Sequence, residues 1–550
     1  MNYRALSALA ISISLVGAHA HAQDADEDLA APPAGKAGEQ KKADEGKNAD
    51  EPKADANKDA AKNEDSKKVE ASAELKPADV SASAAAPEAA PGGDEAPAQR
   101  PPVYGKRGDW NITPYGYARF DGIEDSTESF EDGIQPNLIA RVGTYKGDHR
   151  RTIFTARDSR LGVFVGAPTY HGIKSSAQIE LDFYGLVPTD ARRHDSVVFG
   201  PLRIRHAYLK LETSAVDVIA GQYYDLFGWN GSFYPATVGY LGVPAEIYHR
   251  NPQLRIEKKV HFGDAELTAA VAAVRPGQRD SGIPDGEGGL KFSYNGWTGA
   301  ATPGFGLPAI VPVSLGVSGL YRRFEVPAFR AEPGSASVKT SGYGVAVNVL
   351  LPVIPAKTVE DHGNALTLTG EFSNGTGIAD MYTFMDGGSR FPLLPNPGMF
   401  APALQYAANV DPGLVTFDRN FELKTINWQA FVAGLQYYLP IGGGRVWVAA
   451  IYSQIKSDNI KKLTPFPSYG GIFTKMEYID ANLGVDITPA VALGFSFQTV
   501  KQTFGDLSPA TPVFGAIAGD TPGGLTIPGT GGVAASARNN RGQVSMALFF

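Results

Sequence analysis

The sequence predicts an all-β protein: a transmembrane antiparallel β-barrel of about 16 strands behind a disordered N-terminal extension. Three observations predict it. The chain ends inside a strand on an aromatic residue. It opens on an export signal and carries no later membrane helix. Its period-two segments are joined by connections that alternate between short and long.

The closing segment reads Arg-Gly-Gln-Val-Ser-Met-Ala-Leu-Phe-Phe, Arg541 to Phe550. Val544, Met546, Leu548 and Phe550 recur every second residue, so a strand puts them on one face. Termini of soluble domains usually fray in polar sequence, whereas a lipid-facing last strand has reason to end on Phe550. The pattern resembles the terminal signature that barrel-assembly machinery reads in bacterial outer-membrane proteins. A strand of a soluble sandwich is the plainer alternative.

At the other end Arg4 precedes the apolar run Ala5 to Gly17, and Ala18-His19-Ala20 and Ala20-His21-Ala22 follow. Basic residue, short apolar run and A-x-A site make a secretory signal over 1–22. The run falls short of the roughly 20 residues a spanning helix needs. With no Cys for disulfides, an exported chain of this size needs another restraint, and a closed hydrogen-bonded barrel is one.

Charge divides the chain. Residues 1–105 hold 12 basic and 19 acidic side chains, and the remainder 38 against 39. Residues 23–105 are rich in Ala, Lys, Glu and Pro, poor in large apolar residues, and interrupted by Pro32, Pro33, Pro52, Pro77, Pro87 and Pro91. Such a segment cannot offset its chain entropy by burial, so a disordered periplasmic tether is expected, with a partly helical stalk as the alternative. The barrel domain is placed at 106–550. A basic patch for nucleic acid is missing.

Strands are read at 111–121, 158–166, 173–184, 201–211, 216–222, 253–261, 265–275, 287–295, 310–324, 340–350, 364–374, 426–438, 445–456, 475–486, 490–501 and 541–550. Residues 138–145 are left in a loop. Short links such as Phe262–Asp264 and Ile487–Pro489 alternate with long ones at 122–157, 223–252, 375–425 and 502–540. Periplasmic turns and outer loops differ in this way, and an even count keeps both termini in the periplasm. Ile179, Leu181 and Phe183 alternate with Gln178, Glu180 and Asp182, and several strands divide likewise. A polar inner face on many strands implies a wet interior, hence a channel. Tyr437, Tyr438, Trp447 and Tyr452 are read as candidates for interfacial girdles.

Extending the alternation inward gives a basic set, Arg119, Arg160, Arg203, Arg205, Arg255 and Lys259, with Glu180 and Asp182 among the acids. Two readings are open. The set forms a cationic ladder for anions, since planar guanidinium pairs with carboxylate or phosphate; or it forms salt bridges along the wall. The aromatic, Gly-rich stretch 223–252, with Tyr223, Tyr224, Asp225, Trp229 and Arg250, is read as a loop that folds inward and narrows the lumen. A wall-packed or subunit-contact loop is the alternative.

Arg160-Leu161-Gly162-Val163, Glu180-Leu181-Asp182-Phe183-Tyr184-Gly185, Leu202-Arg203-Ile204-Arg205-His206-Ala207-Tyr208, Ala220-Gly221-Gln222-Tyr223-Tyr224 and Arg250-Asn251-Pro252-Gln253-Leu254-Arg255 occur in that order. Together they resemble the DcaP-like family of trimeric outer-membrane porins, most clearly over residues 155–260. The resemblance implies a 16-stranded barrel, a homotrimer, and passage of small anionic solutes such as dicarboxylates past arginines at Arg160, Arg203, Arg205 and Arg255. Where family members carry a coiled coil, this chain has its Pro-interrupted acidic segment. The alternatives are a general or phosphate/sugar-type porin, and a non-conducting surface barrel acting as an adhesin. The motifs Gly-x-Ser-x-Gly and His-Glu-x-x-His are absent, a thiol nucleophile is excluded, and His206 has no evident triad partners. An enzyme is therefore not expected, nor a cofactor or metal.

Overall fold

The computed structural model describes residues 106–107 and, from Trp110 onward, the chain apart from scattered short gaps and the connections 186–200, 329–335, 386–409, 464–472 and 505–534. The expected signal (1–22) and all of the 23–105 extension lie outside the described residues. So do much of the loops 375–425 and 502–540.

Among the described residues, sixteen strands form the barrel wall, in chain order. They are β1 (Trp110–Asp125), β2 (two segments, Arg151–Thr155 and Arg160–Gly166), β3 (Lys174–Asp182), β4 (Arg203–Glu212), β5 (Asp217–Tyr224), β6 (Arg250–Phe262), β7 (Ala265–Val274) and β8 (Asp285–Ala301). Then come β9 (Ala309–Pro327), β10 (Ser337–Ile354), β11 (Leu366–Thr376), β12 (Asn427–Leu439), β13 (Val446–Lys456), β14 (Phe473–Thr488), β15 (Val491–Phe504) and β16 (Ser536–Phe549). Each pairs antiparallel with its neighbour. β1 also pairs with β16, from Tyr117↔Phe549 to Asp125↔Arg541, which closes the ring. Closure removes sheet edges and satisfies the backbone internally, as spanning a membrane requires.

Every segment read as a strand is one. The differences lie at the ends: many ladders run further than side-chain alternation alone signals, whereas β3, read at 173–184, spans only Lys174–Asp182. β1 continues to Asp125, and the 122–157 loop surrenders Arg151–Thr155 to β2. β16 begins at Ser536, inside the expected loop.

The barrel is turned inside out relative to a soluble domain. Val544, Met546 and Leu548 are 44–51% exposed on the outer face, whereas Ser545 between them is fully buried. Lys258 stands on the outer face near the short-turn rim, its amine donating to the Ser214 carbonyl at 2.9 Å. Tyr438 and Trp447 correct the expected girdle: both are buried on the inner face, while Tyr437 and Tyr452 stand outside. The Tyr438 hydroxyl is 2.5 Å from that of Thr302, and an inward position with a buried partner holds an aromatic as well as an interface does.

Apolar packing lies inside, between the wall and inserted loops. Phe130, Phe227, Ile247, Tyr382, Met385 and Trp428 belong to one such cluster.

Candidate functional site in the barrel interior

β1 to β6 carry the charged wall. A strand aims alternate residues inward, so Arg119 and Asp121 share a face, as do Glu180 and Asp182. Arg119 pairs with Asp121 at 2.9 Å and Asp158 at 2.7 Å. Arg160 lies 3.6 Å from Glu180 and over the Tyr117 ring. A register shift between Glu180 and Leu181 lets β4 turn both Arg205 and His206 inward. Arg205 binds Glu180 at 2.6 Å and Asp182 at 3.3 Å, and donates to the hydroxyls of Tyr248 (3.0 Å) and Tyr224 (3.4 Å). Arg203 reaches Asp182 at 2.6 Å. Arg255 pairs with Glu257 at 3.2 Å, over the Tyr223 ring. Lys259 sits half-buried on the same face of β6.

All five arginines of the predicted set thus have a carboxylate partner, so the wall is not a bare row of cations. In one pair the two sides are nevertheless unequal. The Arg203 side chain is 32% exposed while its partner Asp182 is 1% exposed. Arg119, Arg160, Arg205 and Arg255 are buried together with their carboxylates, so Arg203 alone of the five turns its guanidinium to solvent over a buried acid.

The stretch after β5 crosses the interior. Tyr223 and Tyr224 end β5 and Arg250 opens β6, so these three belong to the wall and the loop proper is 225–249. β5 and β6 pair through Tyr224↔Arg250, which extends the ladder past the apolar alternation used to bound it. Asp225 is fully buried against His249 Nδ1 (2.8 Å) and Asn251 Nδ2 (3.0 Å). Trp229 is buried, its indole N–H donating to the Leu290 and Val317 carbonyls, each at 3.1 Å. Gly228 has φ +78°, and a Cβ there would lie 2.8 Å from Ile247 Cγ2, so only glycine fits. Arg250 lies over the Tyr224 and Tyr248 rings and donates to the Tyr248 hydroxyl at 3.1 Å.

Side chains outside the predicted set, together with Arg119, hold this loop in place. Glu287 on β8 accepts from the Leu226 and Phe227 amides at 2.7 and 2.9 Å. Ser318 on β9 accepts from the Gly228 amide at 2.8 Å. Asp480 and Asn482 on β14 accept from the Thr237 hydroxyl (2.7 Å) and the Val238 amide (2.8 Å). Arg119 donates to the Val238 carbonyl at 2.6 Å, tying the loop to β1. Glu371 on β11 accepts from the Ile247 amide at 2.8 Å. The loop also pairs with residues 381–383, Tyr248 N to Met381 O at 3.0 Å and Thr383 N to Glu246 O at 2.8 Å. A lone carboxylate at an inward position on an otherwise neutral strand, as at Glu371 beside Phe372, was the available signal.

No family model matches the chain, and no curated protein does. Among solved structures, the outer-membrane channel DcaP of Acinetobacter baumannii is 17% identical, with a TM-score of 0.53. The match covers 82% of this chain and 99% of that one. An anion-selective porin from Comamonas acidovorans is 12% identical over 80% of this chain and 100% of its own, with a TM-score of 0.41. At such identity the likeness to the DcaP channel establishes a shared fold: the chain has the fold of an outer-membrane channel.

Proposed function

We propose that the protein is an outer-membrane porin, a passive channel for small hydrophilic solutes that favours anions such as dicarboxylates. The observation that carries the anion preference is the unequal burial of the Arg203–Asp182 pair. Lumen water meets guanidinium, and the balancing carboxylate lies behind it, away from solvent. Arg203 supplies the water-facing cation of the pore lining, Arg205 and Arg160 reinforce it from within the wall, and Arg119, Arg255 and Lys259 extend the positive charge along β1 and β6. Glu180 and Asp182 hold their forks in register. Because guanidinium donates in a plane, a passing carboxylate can exchange onto it bidentately. Loop 225–249, with Trp229 and Asp225 anchored and flanked by Tyr223, Tyr224 and Arg250, serves as the constriction. The barrel sits in the outer membrane with the N-terminal segment in the periplasm, assembles as a homotrimer, and is delivered through Phe550 and its strand to the assembly machinery.

Single-channel current in a salt gradient tests this. The expected result is a stepwise pore with an anion-selective reversal potential and succinate block that is lost in Arg203→Ala/Arg205→Ala. A conducting pore without ion preference would reduce the arginines to wall salt bridges and make the protein a general porin. A folded but silent barrel would overturn the channel reading.

A further inference from the structure

The outer face of the barrel is not uniformly apolar. At the long-loop rim of β13 to β16, four outward cations stand together: Lys456, Lys475, Lys501 and Arg538. Lys456 is the direct cross-strand partner of Lys475, and Lys501 that of Arg538. Like charges directly opposite one another destabilise a sheet, so this arrangement asks for an external anion. Glu477, opposite Lys501, is held by Lys475 at 2.7 Å. The next acid along the rim, Glu124 on β1, is held by Arg150 at 2.8 Å. That leaves Lys456, Lys501 and Arg538 without a carboxylate partner among the described residues. On the β9–β10 rim, by contrast, Arg323 and Lys339 converge on Glu325 at 2.7 and 3.3 Å.

Chemistry changes in order below the cations. Two residues down, Thr499 and Asn540 face each other and share a hydrogen bond of 3.0 Å. Two further down lies Phe497 opposite Gly542, then Phe495 opposite Val544. Here the outer face is hollowed into a groove of about 750 Å³, walled by Phe120, Phe154, Phe495 and Phe497 and floored by Gly122 and Gly542. At Gly542 a Cβ would meet nothing within 4 Å, so the hollow is open space and not a packing contact.

Cations, then hydrogen-bonding groups, then an apolar furrow running toward the bilayer centre match one kind of molecule. We propose that this face binds a phosphorylated, multiply acylated glycolipid of the outer leaflet. Its phosphates lie on Lys501, Arg538 and Lys456, its sugar hydroxyls at Thr499 and Asn540, and an acyl chain lies in the furrow over Gly542. The long-loop rim of such barrels faces outside, which places the cations at the outer-leaflet headgroups. Basic pockets at the headgroup level are a recognised basis for lipid recognition. The inference rests on the membrane setting of the barrel, and it is independent of the solute the pore passes.

The test uses full-length protein in detergent, titrated with a deep-rough lipopolysaccharide or, separately, phosphatidylglycerol, with bound lipid read by native mass spectrometry. The wild type is expected to retain the lipopolysaccharide in preference to phosphatidylglycerol. Lys501→Glu/Arg538→Glu should weaken retention about tenfold or more, and Gly542→Leu should weaken it with every charge intact. Lys258→Glu, at the opposite rim, should leave it unchanged. Heat-modifiable migration checks that each variant is folded. If the double charge reversal does not fold, Gly542→Leu decides alone, since its side chain enters open space. Unchanged retention in Gly542→Leu, or equal retention of phosphatidylglycerol, would overturn the proposal. So would disulfide-linked protomers of Phe497→Cys, a unique thiol in this chain, because that face would then be a contact between copies.

Discussion

Glu246 shows what burial does to one residue in the inserted loop. Its carboxylate accepts from the Val243 amide at 2.9 Å, but no cation is among the groups that set its titration. Burial, reinforced by the nearby Glu371 carboxyl, pushes its pKa well above the ordinary value of 4.5. The sign follows from proton linkage. The seated loop keeps the Glu246 proton, whereas an unseated loop releases it once pH exceeds the ordinary carboxylate value. Seating is therefore fully stable below that value and weakens as pH rises beyond it, until the raised pKa is passed. Amide exchange at Ile247, whose N–H is held by Glu371, should accelerate with pH beyond the intrinsic chemical rate. Glu246→Gln should flatten that excess, leaving only what Glu371 contributes. An unchanged excess would show that Glu246 does not control the loop.

Loop 225–249 is the element on which the interior depends, and Glu287 is its first anchor. Glu287→Ala leaves the Leu226 and Phe227 amides without their acceptor in a buried site, a cost of about 1–3 kcal/mol each. The expected outcome is a larger or flickering unit conductance with the barrel's heat-modifiability retained; an unaltered current trace would show that the loop is held without it. The wall was legible beforehand because alternation has a period of two, and lipid makes the outer face unambiguous. Arg119, Arg160, Arg203, Arg205, Arg255, Glu180 and Asp182 follow from parity alone. Their pairing did not, because Arg205 meets Glu180 through a register shift that side-chain identity does not announce. The anchors Glu287, Glu371 and Asp480 stayed hidden for a different reason. Each contacts a loop 60 to 243 residues away in the chain, and nothing in local sequence reports a partner at that distance.

For the whole molecule, the decisive contact is where the ring meets itself. Arg541 on β16 grips Asp125 on β1 through two bonds, 2.9 Å from Nε and 2.7 Å from Nη2, with both side chains buried. Removing one member strands the other in a buried site at about 3–5 kcal/mol. Asp125→Ala should therefore lower the temperature at which the folded band converts on a gel, and Asp125→Ala/Arg541→Leu should recover part of that loss. Equal melting of wild type and single variant would mean that the backbone ladder alone keeps the ring shut. The two residues are 416 positions apart. Contacts of such separation are late, because the intervening chain must be ordered before they can form. Thus the ring stays open until its last strand is in place, and a chain lacking β16 would leave β1 and β15 as two unpaired edges.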